Sequence, residues 1–106
     1  MAEHPIDRLY ATIRARKKAD KKSSYTAKLL SEGVQKCAKK LGEEAVEAAI
    51  AAVSKDKKAL AAESADVLYH LLVLWAASGI KPDDVYAALK AREGKSGLQE
   101  KASRKG

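Results

Sequence analysis

The fold is decided by residues 34–78, which read VQKCAKKLGEEAVEAAIAAVSKDKKALAAESADVLYHLLVLWAAS. Apolar residues recur along this stretch at three- and four-residue spacing, which is typical of amphipathic helices. The pattern breaks at residues 54–58, where Asp56 is suited to cap a following helix. We therefore predict two long helices, over about 34–53 and 57–78, that fold back on each other as a hairpin.

Two pairs of acidic residues lie in this hairpin with the same spacing. Glu44 and Glu47 are three positions apart on the first helix, and Glu63 and Asp66 are three apart on the second. Residues at this spacing share one face of a helix. The midpoint between Glu47 and Glu63, and also between Glu44 and Asp66, is Lys55 in the turn. The pairs should face each other at one height, about 12 Å from the turn at a rise of about 1.5 Å per residue.

Four converging carboxylates repel each other unless their pKa values rise or a cation lies among them. The neighbouring residues are small or apolar and favour a partly enclosed cation site: Ala45, Val46, Ala48, Ile50 and Val67. Donors that are all oxygen suit Mg²⁺ or Mn²⁺ better than Zn²⁺. The competing interpretation is a solvated helix face, but the symmetry of the pairs about the turn favours a metal site.

Three residues beside the first acidic pair are further candidates. Glu43 should point about 100° away from Glu44, either as a base or substrate contact near the metal or as the surface partner of Lys39 or Lys40. Lys40 lies one turn earlier and is placed to reach a phosphate. A glycine inside a helix, Gly42, suggests close approach of a substrate or of another backbone.

Helical patterning continues through the rest of the chain. Residues that favour helix starts precede three shorter helices, and glycines follow the last two helices: Pro5, Ser24 and Pro82, then Gly79 and Gly94. We predict an all-α protein, a compact bundle of about four to five helices, as a single domain over residues 1–106. Residues from about 95 to 106 are expected to form a polar tail.

The chain carries 21 Lys and Arg residues against 14 Asp and Glu, a net charge of +7. This balance suits a phosphate-rich partner, which is a nucleotide, a nucleic acid or an anionic membrane. We interpret the basic run at residues 14–22 as solvated surface. The single cysteine, Cys37, excludes an intramolecular disulfide and favours a reducing cytosol. The longest apolar stretch, residues 67–80, falls short of the roughly 20 residues that span a bilayer.

The acidic residues and their flanks resemble a known family. Glu43-Glu44-x-x-Glu47, followed after 15 residues by Glu63-x-x-Asp66, is similar to the signature of the MazG-type, all-α nucleotide pyrophosphohydrolase superfamily. Four flanking blocks resemble the phosphoribosyl-ATP pyrophosphatase family: residues 24–27 (SYTA), 40–47 (KLGEEAVE), 63–70 (ESADVLYH) and 96–104 (SGLQEKASR). The resemblance runs from about residue 6 to 104, with no departure at the acidic positions.

This resemblance implies Mg²⁺-dependent hydrolysis of phosphoribosyl-ATP to phosphoribosyl-AMP and pyrophosphate, the second step of histidine biosynthesis. It also implies a cytoplasmic homodimer that binds neither nucleic acid nor membrane. The implied roles are as follows: Glu44, Glu47, Glu63 and Asp66 hold Mg²⁺, or Mn²⁺ in its place; Glu47 or Glu43 activates water; Lys40 and Arg92 contact phosphate. For Arg92 the alternative is a surface cation at a helix end, and His70 is expected to be a packing residue.

The sequence leaves two alternative functions open. One is a housecleaning pyrophosphohydrolase that acts on NTPs or dNTPs, against which the blocks at 24–27 and 96–104 argue. The other is a non-catalytic basic helical module that binds nucleic acid, which the net charge favours and the acidic pairs disfavour.

Overall fold

In a computed structural model, residues 4–94 together with Gly97 and Lys101 are described, and they form five α-helices. The helices are α1 (Pro5–Ala15), α2 (Tyr25–Glu32), α3 (Val34–Val53), α4 (Lys57–Ser78) and α5 (Pro82–Ala91). No strand occurs in the described part of the chain, which confirms the predicted all-α class. A short 3₁₀ turn over Arg16–Lys18 follows α1 and was not predicted. Apart from Gly97 and Lys101, the predicted tail over 95–106 lies outside the described residues.

The helices begin and end where capping residues require it. The Asp56 carboxylate accepts a hydrogen bond of 2.9 Å from the backbone N–H of Ala59 and so caps α4. At the other end of α4, Gly79 adopts a φ of 79°, a left-handed conformation that glycine allows at little cost. The remaining helix starts follow the prediction: Ser24 caps α2, and Pro5 and Pro82 open α1 and α5.

The α3–α4 hairpin is the centre of the fold, and the other helices pack around it. Helix α1 crosses α4, α2 contacts both α3 and α4, and α5 rests on α1. The buried core collects side chains from four of these helices: Tyr10, Ile13, Leu29, Cys37, Leu72 and Val73. Two tyrosines connect distant segments, since Tyr10 donates to the Ile80 carbonyl at 2.8 Å and Tyr86 donates to the Asp7 carboxylate at 3.0 Å. This packing holds the hairpin from one side.

The other side of the hairpin is open. Only Cys37 and Ala51 of α3 are buried, whereas Val46, Ile50 and Val53 are 59%, 60% and 82% exposed. The prediction that Val46 and Ile50 help to enclose the acidic site is therefore wrong for a single chain, because α1 and α2 cover the opposite side.

Helix α4 is the one described helix whose length and composition would allow it to cross a membrane. The helix also carries Glu63, Asp66 and His70, and it contacts α1, α2 and α3. These polar side chains and helix contacts fit the central helix of a helical bundle.

Candidate metal centre

Three carboxylates converge between the two long helices. Glu44 of α3 and Glu63 and Asp66 of α4 each contribute an oxygen, and these oxygens lie within 4.8 Å of one another. The short turn around Lys55 brings the three residues together, because it sets them at the same height on neighbouring helices. Three of the four predicted metal-binding residues thus meet at one point, which we call the acidic cluster.

Two oxygens of the acidic cluster are buried without a hydrogen-bond donor. Among the described residues, Oε2 of Glu44 and Oε2 of Glu63 have no partner. Burying a carboxylate oxygen without a partner is costly, and a coordinated cation removes that cost. Asp66 is exposed, so the cluster has an open side. An all-oxygen site of this kind fits a hard divalent ion that also binds phosphate.

Glu47 lies against the acidic cluster and is not one of its three members. It is exposed, and its carboxylate is close enough to that of Glu44 to share a proton with it. Hydrogen bonding to Glu47 through that proton is the main cause that raises the pKa of Glu44 to about 7, followed by burial and by the negative charges of Glu47, Asp66 and Glu63. Without a cation, the site therefore retains a proton close to neutral pH.

Glu43 is not a member of the acidic cluster and pairs with Lys40. The Lys40 Nζ and Glu43 Oε1 atoms are 3.2 Å apart, which is the predicted surface pairing. This contact raises the pKa of Lys40, with smaller effects of Tyr25 and Glu44. Lys40 therefore keeps its positive charge at neutral pH. For Gly42, a Cβ atom would meet nothing within 4 Å. The close approach of another backbone that the sequence suggests at Gly42 is therefore not found within the described residues.

An aromatic group formed by Tyr25 of α2 with Tyr69 and His70 of α4 adjoins Asp66. His70 is buried, and its Nδ1 lies 3.0 Å from the Asp66 backbone carbonyl while its Nε2 lies 3.4 Å from the Tyr25 hydroxyl. The Tyr25 ring stacks on Tyr69 with centroids 6.4 Å apart, and the Tyr69 hydroxyl is hydrogen-bonded to Thr26. His70 thus contacts the backbone of Asp66 and packs in the core. Sequence reasoning missed Tyr25 as a neighbour of the site, because the packing of α2 on α4 leaves no local spacing signal.

Arg92 lies at the C-terminal end of α5, which rests on α1. Its side chain is exposed. A phosphate contact by Arg92 stays a prediction.

Comparison with known proteins identifies close relatives. The family model for phosphoribosyl-ATP pyrophosphohydrolase matches residues 6–93. The phosphoribosyl-ATP pyrophosphatase of Parvibaculum lavamentivorans is 65% identical over 99 residues, which are 93% of this chain and 91% of that protein. The proteins of the same name from Azospirillum brasilense and Jannaschia sp. are each 59% identical to this chain over 100 residues, which are 94% of its length. The aligned residues make up 90% of the Azospirillum protein and 98% of the Jannaschia protein.

Proposed function

The chain belongs to the phosphoribosyl-ATP pyrophosphohydrolase family, and from this premise we propose that it hydrolyses phosphoribosyl-ATP to phosphoribosyl-AMP and pyrophosphate in histidine biosynthesis. The relatives that carry the corresponding name align with nearly all of the chain. The single observation that carries the proposal is the acidic cluster, with two buried carboxylate oxygens that lack a partner. In a chain with a net charge of +7, such a concentration of negative charge points to a bound cation.

Glu44, Glu63 and Asp66 would hold Mg²⁺, whereas Glu47, the predicted fourth ligand, lies in the adjoining turn of α3 and would act on water beside the ion. Mn²⁺ would suit the same oxygen donors. When bound there, Mg²⁺ would supply charge neutralisation on the phosphates and so ease attack on the phosphorus of the α–β linkage. The fit rests on the oxygen-only donors and on the unpartnered oxygens of Glu44 and Glu63.

The base that activates water has two candidates, Glu47 and Glu43. The Glu43 carboxylate is engaged by Lys40, and an ion pair makes a carboxylate a weaker base. Glu47 is exposed and adjoins the cluster, so we assign it the role of accepting the proton of the attacking water. Glu43 would instead hold Lys40 in place to contact the polyphosphate, and Arg92 would supply a second phosphate contact.

The decisive experiment replaces one candidate metal ligand, Glu63, by a residue of the same shape. Glu63→Gln should abolish Mg²⁺-dependent release of pyrophosphate from phosphoribosyl-ATP, because the amide is a neutral and poorer ligand, while the helical circular dichroism should stay unchanged. The matched control is Glu93→Gln, an exposed acid beyond α5, which should retain full turnover. Normal turnover in Glu63→Gln would refute the metal assignment.

Substrate choice is tested with the wild-type chain. Pyrophosphate release from phosphoribosyl-ATP should exceed release from ATP and from each dNTP. A preference for dNTPs would favour a housecleaning enzyme. Absence of turnover, together with tight and salt-sensitive binding of nucleic acid, would favour the basic binding module.

The enzyme would act as a homodimer in the cytoplasm. The open side of the hairpin carries shallow apolar hollows, one of them lined by Val46, Ile50 and Val53 and another by Val67 and Leu68. A contiguous apolar surface of this kind typically marks a protein interface. A second copy of the chain would cover it and would enclose the neighbourhood of the acidic cluster.

A further inference from the structure

A basic pocket lies beside Tyr25, on α2 and the turn before it. It is a hollow of about 710 Å³, open to solvent, between the turn before α2 and the exposed face of that helix. Its wall carries three lysines, which are Lys21, Lys22 and Lys28, against one acid, Glu32. Among the described residues, none of these three ammonium groups forms an ion pair. Unpaired cations around a concave surface attract anions.

The turn that carries two of these lysines is fixed by hydrogen bonds. The Asp20 carboxylate accepts a bond of 3.0 Å from the backbone N–H of Lys22, and the Asp20 carbonyl accepts one of 2.9 Å from the N–H of Ser24. Ser24 in turn caps α2, on which Lys28 lies one turn later. The pocket is thus built by ordered backbone on both sides.

Tyr25 connects the basic pocket to the acidic cluster. Its side chain is 51% exposed and lines the pocket, while its hydroxyl reaches His70, which contacts the backbone of Asp66. One exposed aromatic side chain therefore lines the basic pocket and, through His70, adjoins the segment of α4 that carries Asp66.

We propose that the basic pocket binds the monophosphate of the phosphoribosyl group of the substrate, with Tyr25 beside the purine; this inference rests on the proposed function. Phosphoribosyl-ATP carries a triphosphate on one ribose and a monophosphate on a second ribose attached to the purine. The triphosphate would lie at the acidic cluster with its cation, and the monophosphate at Lys21, Lys22 and Lys28. ATP has no second phosphate arm, so these lysines would be specificity-determining residues.

The kinetic test compares lysine variants of the full chain on phosphoribosyl-ATP. Lys22→Ala and Lys28→Ala should each raise KM by about tenfold, the loss expected for one hydrogen bond to a charged group. The value of kcat should change less than about twofold, because binding of a remote group is equal in the ground and transition states. Lys58→Ala removes the same charge from an exposed site at the start of α4 and should leave both constants unchanged.

A binding test separates this inference from the proposed function. Ribose 5-phosphate, added to the ¹⁵N-labelled protein, should shift the amide resonances of residues 21–32, and ribose should not. The double variant Lys22→Ala, Lys28→Ala should lose these shifts. Unchanged KM in the lysine variants, or no shifts with ribose 5-phosphate, would overturn the basic pocket even if the wild type hydrolyses phosphoribosyl-ATP. A wild type that binds ribose 5-phosphate at residues 21–32 but releases no pyrophosphate would instead refute the function and confine the pocket to phosphate binding.

Discussion

Glu44 is the residue of the acidic cluster at which a proton and a metal ion would compete. Its pKa of about 7 arises from the hydrogen bond with Glu47, from burial and from its acidic neighbours. A cation needs the ionised carboxylate, so proton and metal compete for the same oxygens.

The first prediction concerns pH. Because the pKa of Glu44 rises from 4.5 to about 7 on folding, this group stabilises the metal-free protein most below pH 4.5 and loses that contribution as the pH rises through about 7. Affinity for Mg²⁺ should rise over the same interval. The increase in Tm caused by Mg²⁺, followed by circular dichroism, should therefore be larger at pH 8 than at pH 5.5.

Glu44→Gln is the control for this effect, because the amide resembles the protonated acid at every pH. In this variant, the Tm of the metal-free protein should lose its Glu44-dependent fall between pH 4.5 and 7. An equal effect of Mg²⁺ on the wild type at pH 5.5 and pH 8 would contradict the assigned competition.

For single residues, the sequence predicts which acids lie at the same level of the two helices, but not the position of each side chain. The i, i+3 spacing and the common midpoint at Lys55 are backbone properties, and they correctly bring Glu44, Glu63 and Asp66 to one point. Side-chain rotamers and local burial decide that Glu47 stays outside the group. No spacing rule contains that information.

Among the elements, the α3–α4 hairpin sets the geometry of the acidic cluster, and its turn fixes how the two helices are aligned. Lys55 adopts a φ of 58°, which non-glycine residues rarely do, and Asp56 caps the helix that follows. A change in the length or conformation of this turn would shift α4 along α3 and so separate the acidic residues of the two helices.

The second prediction is a capping variant. Asp56→Ala should lower the free energy of unfolding by about 1 kcal/mol, because the N–H of Ala59 loses its acceptor. Asp56→Asn keeps an acceptor oxygen and should stay close to the wild type. Urea denaturation measures both values. A change below about 0.3 kcal/mol in Asp56→Ala would mean that water replaces the cap without loss.

Helix boundaries are the best-predicted feature, since caps and glycines act over a few neighbouring residues. The 3₁₀ turn over Arg16–Lys18 was missed because the basic run contains no apolar periodicity. The position of α2 against α4 depends on contacts between distant residues, such as that between Tyr25 and His70. The basic pocket is not predictable for the same reason, although Lys21 and Lys22 belong to the basic run at residues 14–22.

For the molecule as a whole, the exposed apolar side of the hairpin is the feature that most needs an explanation. Val46, Ile50 and Val53 lie there beside hollows with mainly apolar walls. The sequence pattern identifies these residues as apolar helix positions, but it does not say whether the chain itself or a partner covers them.

The third prediction is that Ile50→Glu disrupts the proposed homodimer, because the variant would bury an unpaired charge in the interface. Analytical ultracentrifugation should find a dimer for the wild type and a monomer for Ile50→Glu. Leu89→Glu, at a residue of α5 that is 56% exposed, should remain dimeric. A wild type that sediments as a monomer at micromolar concentration would exclude the homodimer.

The placement of all three clustered carboxylates on one hairpin has a consequence for folding kinetics. Contacts between neighbouring helices form early, and chains rich in such local contacts fold fast. Here, however, closing the hairpin brings three carboxylates together before a cation has bound to neutralise them. Repulsion among these acids should therefore slow closure of the hairpin, and dissolved divalent salts, which screen and bind the carboxylates, should accelerate refolding.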